Sequence, residues 1–290
     1  MRANDRTLYN IASLTKPLTA EVILRLASQK KLSIDEPMDS AWIDPDVAGD
    51  PRHKLLTARL VLSHRTGLPN WRAASGLKFA HDPGGAWEYS GEGFQYVARF
   101  TEHKMNQSLD VLAQKYVFGP LGMKDSAYVG QPWFKGRIAV PTDASGKTLV
   151  PSIARQANAA DLVYTTPRDY AAFMIGVLRD KGLTKSIAAE RSQSRVSMMD
   201  IACQSAKASS CPKLVGFGLG WQVLLFEQEN ILMHTGKDEG VFTFVYLNKT
   251  TQDGVVVFTN SDNGYKIVLP ILDRSGTSRE FLAFLRGQLD

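Results

Sequence analysis

Tyr9-Asn10-Ile11-Ala12-Ser13-Leu14-Thr15-Lys16-Pro17-Leu18-Thr19-Ala20 is the segment around which the rest of the chain can be arranged. Leu14, Leu18, Val22 and Leu26, with Ile23 and Ala27 beside them, recur at helical spacing as far as about Lys30. Pro17 falls in the first turn, where its missing N–H does no harm. A helix is therefore predicted to begin close to Ser13. On it, Ser13 and Lys16 share a face, so an ammonium can sit beside a hydroxyl. A serine at a helix start also has unpaired backbone N–H groups nearby, ready for an oxyanion. Taken alone, the pair reads better as an N-cap serine with a neighbouring lysine. Ser-x-x-Lys recurs at Ser28/Lys31, Ser75/Lys78 and Ser210/Lys213, but only Ser13 heads an apolar helix.

Beyond this helix, a short helical run from Thr57 to about Ser63 breaks at Gly67-Leu68-Pro69. Further helices are expected over about Gly93–His103 and Leu109–Phe118, and from Pro167-Arg168-Asp169 to about Asp180, the last with Pro and acid in its first turn. Trp221–Phe226, Ile231–His234, Val241–Asn248 and Val255–Thr259 are short β-rich runs divided by turn residues, and a helix from about Ser278 to Leu289 follows. This order predicts an α+β fold, an antiparallel β-sheet flanked by helices with a mostly helical part beside it. A single catalytic domain over 1–290 is expected, helical over roughly 13–215 and carrying the sheet and last helix over roughly 216–290, with a cleft between the parts.

Two more segments offer chemistry. Tyr89-Ser90-Gly91 follows the turn-rich Pro83-Gly84-Gly85. A tyrosine held near a cationic lysine gives up its proton more readily and can act as a general base. His234-Thr235-Gly236 ends a predicted strand. Glycine there lets the strand edge approach a ligand, and the next N–H, that of Lys237, can donate to an oxyanion. His234 can add positive charge or a donor near a substrate carboxylate or leaving group.

In this order, Ser13-x-x-Lys16, Tyr89-Ser90-Gly91 and His234-Thr235-Gly236 resemble the serine β-lactamase and penicillin-binding-protein superfamily, in its class C β-lactamase and D,D-peptidase branch, which includes esterases. Leu62-Ser63-His64-Arg65-Thr66-Gly67-Leu68-Pro69, Phe118-Gly119-Pro120-Leu121-Gly122-Met123 and Phe217-Gly218-Leu219-Gly220-Trp221 strengthen the likeness, which runs collinearly along nearly the whole chain. The resemblance implies a serine hydrolase working through an acyl-enzyme. Ser13 would be the nucleophile, with Lys16 and Tyr89 taking its proton. The oxyanion would lie between the N–H groups of Ser13 and Lys237, and Gly91, His234, Thr235 and Gly236 would line the substrate site.

The pattern also departs from its relatives. Gly91 stands where they usually carry an Asn whose amide binds the acyl-side amide of the substrate, which favours a carboxylesterase on small acyl esters over peptide or β-lactam recognition. His234 replaces the lysine of the β-lactamases, and similar His-Thr-Gly strands occur in D,D-peptidases and related hydrolases, which points away from efficient β-lactamase activity. Only 12 residues precede Ser13, where relatives place a helix and two strands against the last strand of the sheet. Val255-Val256-Val257-Phe258-Thr259 would then be an exposed edge, so an N-terminal truncation or self-association through that edge is expected. D,D-carboxypeptidase, penicillin-binding or β-lactamase activity is the alternative within enzymes. A catalytically inactive binding or scaffold protein is the alternative of another class, supported by Gly91 and opposed by the retained Ser13, Lys16 and Tyr89. Glu92 reads as a solvated loop carboxylate, His64 as structural, and Trp71 and Trp87 as packing residues that can border the cleft.

Composition fits an enzyme of this kind. Apolar residues make up 44% and charged residues 22% of 290, which argues against disorder. The net charge of +5 comes from scattered basic residues, so no nucleic-acid partner is expected. No apolar run is long enough to span a bilayer, and Met1–Arg6 lead into no apolar segment, so neither a transmembrane helix nor a signal peptide is expected. The pair Cys203 and Cys211 closes a small polar loop and reads as a disulfide, hence a periplasmic or secreted setting. No His/Cys cluster has metal-ligand spacing, so neither metal nor cofactor is expected. The expected substrate is a small-molecule ester, D-amino-acid peptide or β-lactam.

Overall fold

Strands β3 (Val196–Ser197), β4 (Leu214–Phe217), β5 (Gln222–Leu225), β6 (Asn230–Asp238), β7 (Val241–Asn248) and β8 (Asp253–Thr259) pair in chain order into a six-stranded antiparallel sheet. A separate ladder joins β1 (Tyr9–Asn10) to β2 (Tyr164–Thr165). The structure, a computed structural model, describes residues 2–204 and 211–289. Its principal helices are α1 (Thr15–Ser28), α2 (Ala58–Leu62), α3 (Gly91–Met105), α4 (Leu109–Ala113), α5 (Gly119–Leu121), α6 (Pro167–Leu178), α7 (Lys185–Ser192), α8 (Met199–Ala202), α9 (Val268–Leu272) and α10 (Arg279–Leu289).

Period-two alternation sends side chains to opposite faces of the sheet. Leu232, Val245 and Leu247 face the helical part and join one core with α1 and α6, which supply Leu18, Val22, Phe173 and Val177. Ile231, Met233, Phe244 and Tyr246 face the other way and pack with Phe281, Phe284 and Leu285 of α10. The sheet is thus buried on both faces, as the α+β expectation requires.

Helix α1 is buried on every side from Thr15 to Leu26, the mark of a central helix. Its charged residues survive there because they are paired. Glu21 meets Arg191 at 2.8 Å and Arg25 at 3.5 Å. Gly220 takes a left-handed φ of +85°, and a Cβ there would run into Ala20, so glycine lets the sheet close on α1.

Several boundaries differ from the sequence reading. The strand expected to stop at His234 continues to Asp238, because β7 pairs with it through Asp238↔Val241. Polar and glycine residues hide this continuation from the hydrophobic pattern. Val196–Ser197 and Leu214–Phe217 also enter the sheet, and they are too short to announce themselves. Cys203 and Cys211 form a disulfide with Cα atoms 6.1 Å apart. Ser210, one of the alternative Ser-x-x-Lys serines, lies outside the described residues.

Candidate active site

The helix predicted from Ser13 opens with a 3-10 turn, Ala12–Leu14, that runs directly into α1. Ala12 adopts φ +48°, a strained conformation for a residue with a Cβ. It is held there by Asn10, whose Oδ1 accepts the Ala12 N–H at 2.9 Å while its Nδ2 donates to Asp238 at 2.9 Å. Asn10 therefore ties the nucleophile turn to the far end of β6. Thr243 adds a second tie by donating to the Ile11 carbonyl at 2.9 Å.

Lys16 is wholly buried. Its Nζ donates to Ser13 Oγ at 3.0 Å and to the Ala160 carbonyl at 3.0 Å. Ala160 is itself fixed from α3, since Gln95 binds Asn158 at 3.0 Å and Asn158 accepts the Ala160 N–H at 3.0 Å. Burial penalises the ammonium and brings the Lys16 pKa down to about 7, although Asp161 opposes the shift. The neutral amine is thus well populated near neutral pH.

Tyr89 covers this pair, with Lys16 Nζ 4.6 Å from its ring centroid. Burial raises the Tyr89 pKa, and contact with the Ser13 hydroxyl only partly offsets the rise. Loss of solvation outweighs any help from a lysine that is itself half-neutral. Tyr89 is thus a phenol at rest.

His64 grips the segment around Tyr89. Its carbonyl accepts the Glu88 N–H at 2.9 Å and its Nδ1 accepts the Ser90 N–H at 3.0 Å. Its ring lies 4.3 Å from that of Tyr89. With Nδ1 accepting, the proton sits on Nε2. Burial keeps the ring neutral by lowering its pKa well below the usual histidine value.

Gly236 brings β6 against the nucleophile. A Cβ there would lie 2.6 Å from the Ile11 carbonyl oxygen and 3.1 Å from the Ser13 nitrogen. Asp238 and Val241 close a two-residue turn and form a hydrogen-bonded pair, so alternation makes Lys237↔Phe242 a non-bonded pair. The Lys237 N–H therefore points off β7, on the side where β5 reaches only as far as Met233. The Ser13 N–H likewise has no acceptor among the described residues. Two backbone donors are thus left free on either side of the Gly236 contact.

The remaining β6 residues depart from expectation. His234 is 4% exposed and neutral, its pKa lowered to about 3 by burial and by Lys16. Its Nδ1 lies 2.7 Å from the Thr235 carbonyl and donates to it, which leaves Nε2 as an acceptor. His234 thus presents Nε2 as an acceptor. Thr235 lies on the opposite face with Met233, bordering a hollow lined by Phe242 and Phe244, so its side chain is not brought to Ser13.

Gly91 is buried at the start of α3. Glu92 is 9% exposed rather than solvated; it accepts the Arg72 N–H at 3.1 Å. Trp71 is 45% exposed, with its ring 5.8 Å from Lys16 Nζ, and it borders the cleft. Trp87 packs toward Phe217. Sequence reasoning missed Asn10, Ala160 and Asp161. Burial and the nearby Asp238 raise the Asp161 pKa to about 6, within electrostatic reach of Lys16. These residues lie in loops or two-residue strands, where no periodicity marks them.

A beta-lactamase family model matches residues 1–275. The chain belongs to the beta-lactamase family. At that level the serine-hydrolase expectation holds. Esterase EstB from Burkholderia gladioli is 28% identical over 171 residues, covering 47% of this chain and 42% of the esterase. The D-alanyl-D-alanine-carboxypeptidase/endopeptidase AmpH of Escherichia coli is 24% identical over 283 residues, covering 88% of this chain and 71% of that protein. The chain spans about half the length of some of its curated relatives, with coverages of 42% and 55% among them. A penicillin-binding protein from Bacillus halodurans superposes with a TM-score of 0.77 at 20% identity, over 94% of this chain and 87% of that one.

Proposed function

We propose that the protein transfers acyl groups from carboxylic esters to water through an acyl-enzyme on Ser13. The observation that carries this reading is the 3.0 Å contact between the Ser13 hydroxyl and a buried Lys16 amine whose pKa is near 7. Neutral Lys16 takes the hydroxyl proton as Ser13 Oγ attacks the ester carbonyl. The Ser13 and Lys237 N–H groups receive the oxyanion. Each such donor is typically worth ~10²–10³ in rate. Tyr89, still a phenol, passes a proton to the leaving alkoxide and takes one from the water that later frees the enzyme, and the Lys16 ammonium returns its proton to Ser13 Oγ as the acyl group leaves.

A neutral His234 and a glycine at position 91 favour esters over substrates that must be held by a terminal carboxylate or an acyl-side amide at those points. Peptidase action is the second reading, supported by the 283-residue match to the carboxypeptidase/endopeptidase. Release of p-nitrophenol from p-nitrophenyl acetate, abolished by Ser13→Ala, is the expected result. Turnover of a D-alanyl-D-alanine peptide with no ester hydrolysis would favour the second reading instead.

A further inference from the structure

A hollow of about 190 Å³ lies between the sheet, α9 and α10, and the acyl-transfer steps make no use of it. Met233, Phe244 and Phe284 form its buried wall, and Thr235, Phe242, Tyr265 and Leu269 form a partly exposed rim. Among the described residues no charged side chain lines it. Such a space suits an apolar group, since an apolar cavity of about 150 Å³ takes up benzene.

Strand register brings this hollow close to the nucleophile. Thr235 pairs with Phe244 and Lys237 with Phe242, so all four share the face turned to α10. Gly236, between Thr235 and Lys237, turns the other way and packs on the Ser13 nitrogen. The Lys237 N–H, one of the two oxyanion donors, thus belongs to the residue opposite Phe242 on the rim. It lies two residues beyond Thr235, a span of about 7 Å along a strand. On that side β5 pairs with β6 no further than Met233, so no described strand separates the donor from the rim.

We infer that this hollow receives an apolar chain of the ester, which passes over the edge of β6 from a carbonyl held at Ser13 and Lys237. The preferred substrates are then esters that carry an alkyl or aryl group on one side of the carboxyl, with Tyr265 and Leu269 limiting its length. This rests on the acyl-enzyme reading and names its substrate class. Either half of an ester, acyl or alcohol, has the chemistry to supply the chain.

The test measures kcat/KM for two series of esters in the unaltered protein and in Leu269→Trp and Tyr265→Asp. One series lengthens the acyl group through p-nitrophenyl acetate, butyrate and hexanoate. The other lengthens the alcohol through ethyl, butyl and hexyl acetate. Each methylene buried is expected to raise kcat/KM about fourfold. Leu269→Trp fills the hollow and Tyr265→Asp sets a charge on its rim, so both are expected to flatten the rise. The series that they flatten identifies the half that enters. Ratios within a series cancel any loss common to its members. A flat response in both series, or a rise that neither variant changes, would overturn the inference and leave the acyl-enzyme reading standing. Hydrolysis of no ester by the folded, unaltered protein would overturn both.

Discussion

The amine of Lys16 and the hydroxyl of Ser13 stand 3.0 Å apart at a helix start, with Lys16 wholly buried and Ser13 half-buried. Burial makes the amine a base at neutral pH, and the cost of a buried charge falls on stability. Below a pH of about 7 the folded protein must carry a buried ammonium. Between about 7 and the ordinary lysine value the unfolded chain binds the extra proton, so the Lys16 contribution to stability improves as pH rises through that window. Lys16→Met is therefore expected to raise Tm relative to the unaltered protein by more at pH 6 than at pH 9.5, while abolishing turnover. Thermal unfolding at the two pH values measures this. Lys16→Arg, which cannot shed its proton, is expected to lower kcat by ~10²–10⁴.

Tyr89→Phe separates relay from base. Removing the hydroxyl is expected to lower kcat by about 10² or more, as the loss of a proton-transfer group does. The rise of activity with pH near 7 is expected to remain, because Lys16 sets it. A pH–rate profile of the variant in which that limb has vanished would assign the base to Tyr89.

Adding a side chain at position 91 is expected to fail. Gly91→Asn places a Cβ 2.6 Å from the Asn70 carbonyl oxygen, so the loop must move. Overpacking of this kind typically costs ~1–3 kcal/mol. The expected outcome is a lower denaturant midpoint and lower esterase activity, with no new hydrolysis of a chromogenic β-lactam such as nitrocefin.

His64→Phe keeps the aromatic volume and removes the acceptor of the Ser90 N–H. A buried donor left unpaired typically costs ~1–3 kcal/mol. Because that N–H adjoins Tyr89, kcat is expected to fall together with stability, measured by steady-state kinetics and urea unfolding. His64→Asn, whose amide oxygen can accept the same N–H, is expected to recover part of both.

Much of this arrangement was legible in the chain itself. Helical spacing after Ser13 and the run ending in His234-Thr235-Gly236 announce the central helix and the strand it meets. What escaped has physical reasons. Asn10, Ala160 and Asp161 reach the site from turns and loops, where side-chain periodicity carries no information. Whether Tyr89 and His234 carry charge depends on burial that only the packed fold defines. Thr235 was misplaced for a simpler reason. Adjacent strand residues face opposite ways, and the motif was read as a block.

The most direct measurement follows labelling of Ser13 by a fluorophosphonate probe with intact-mass spectrometry across a range of pH, the adduct being mapped by peptide digest. A single adduct on Ser13, forming faster as pH rises and levelling off above about 7, is the expected result. A folded protein that takes no adduct, or labels at a rate indifferent to pH and unchanged in Lys16→Met, would contradict an activated Ser13–Lys16 pair.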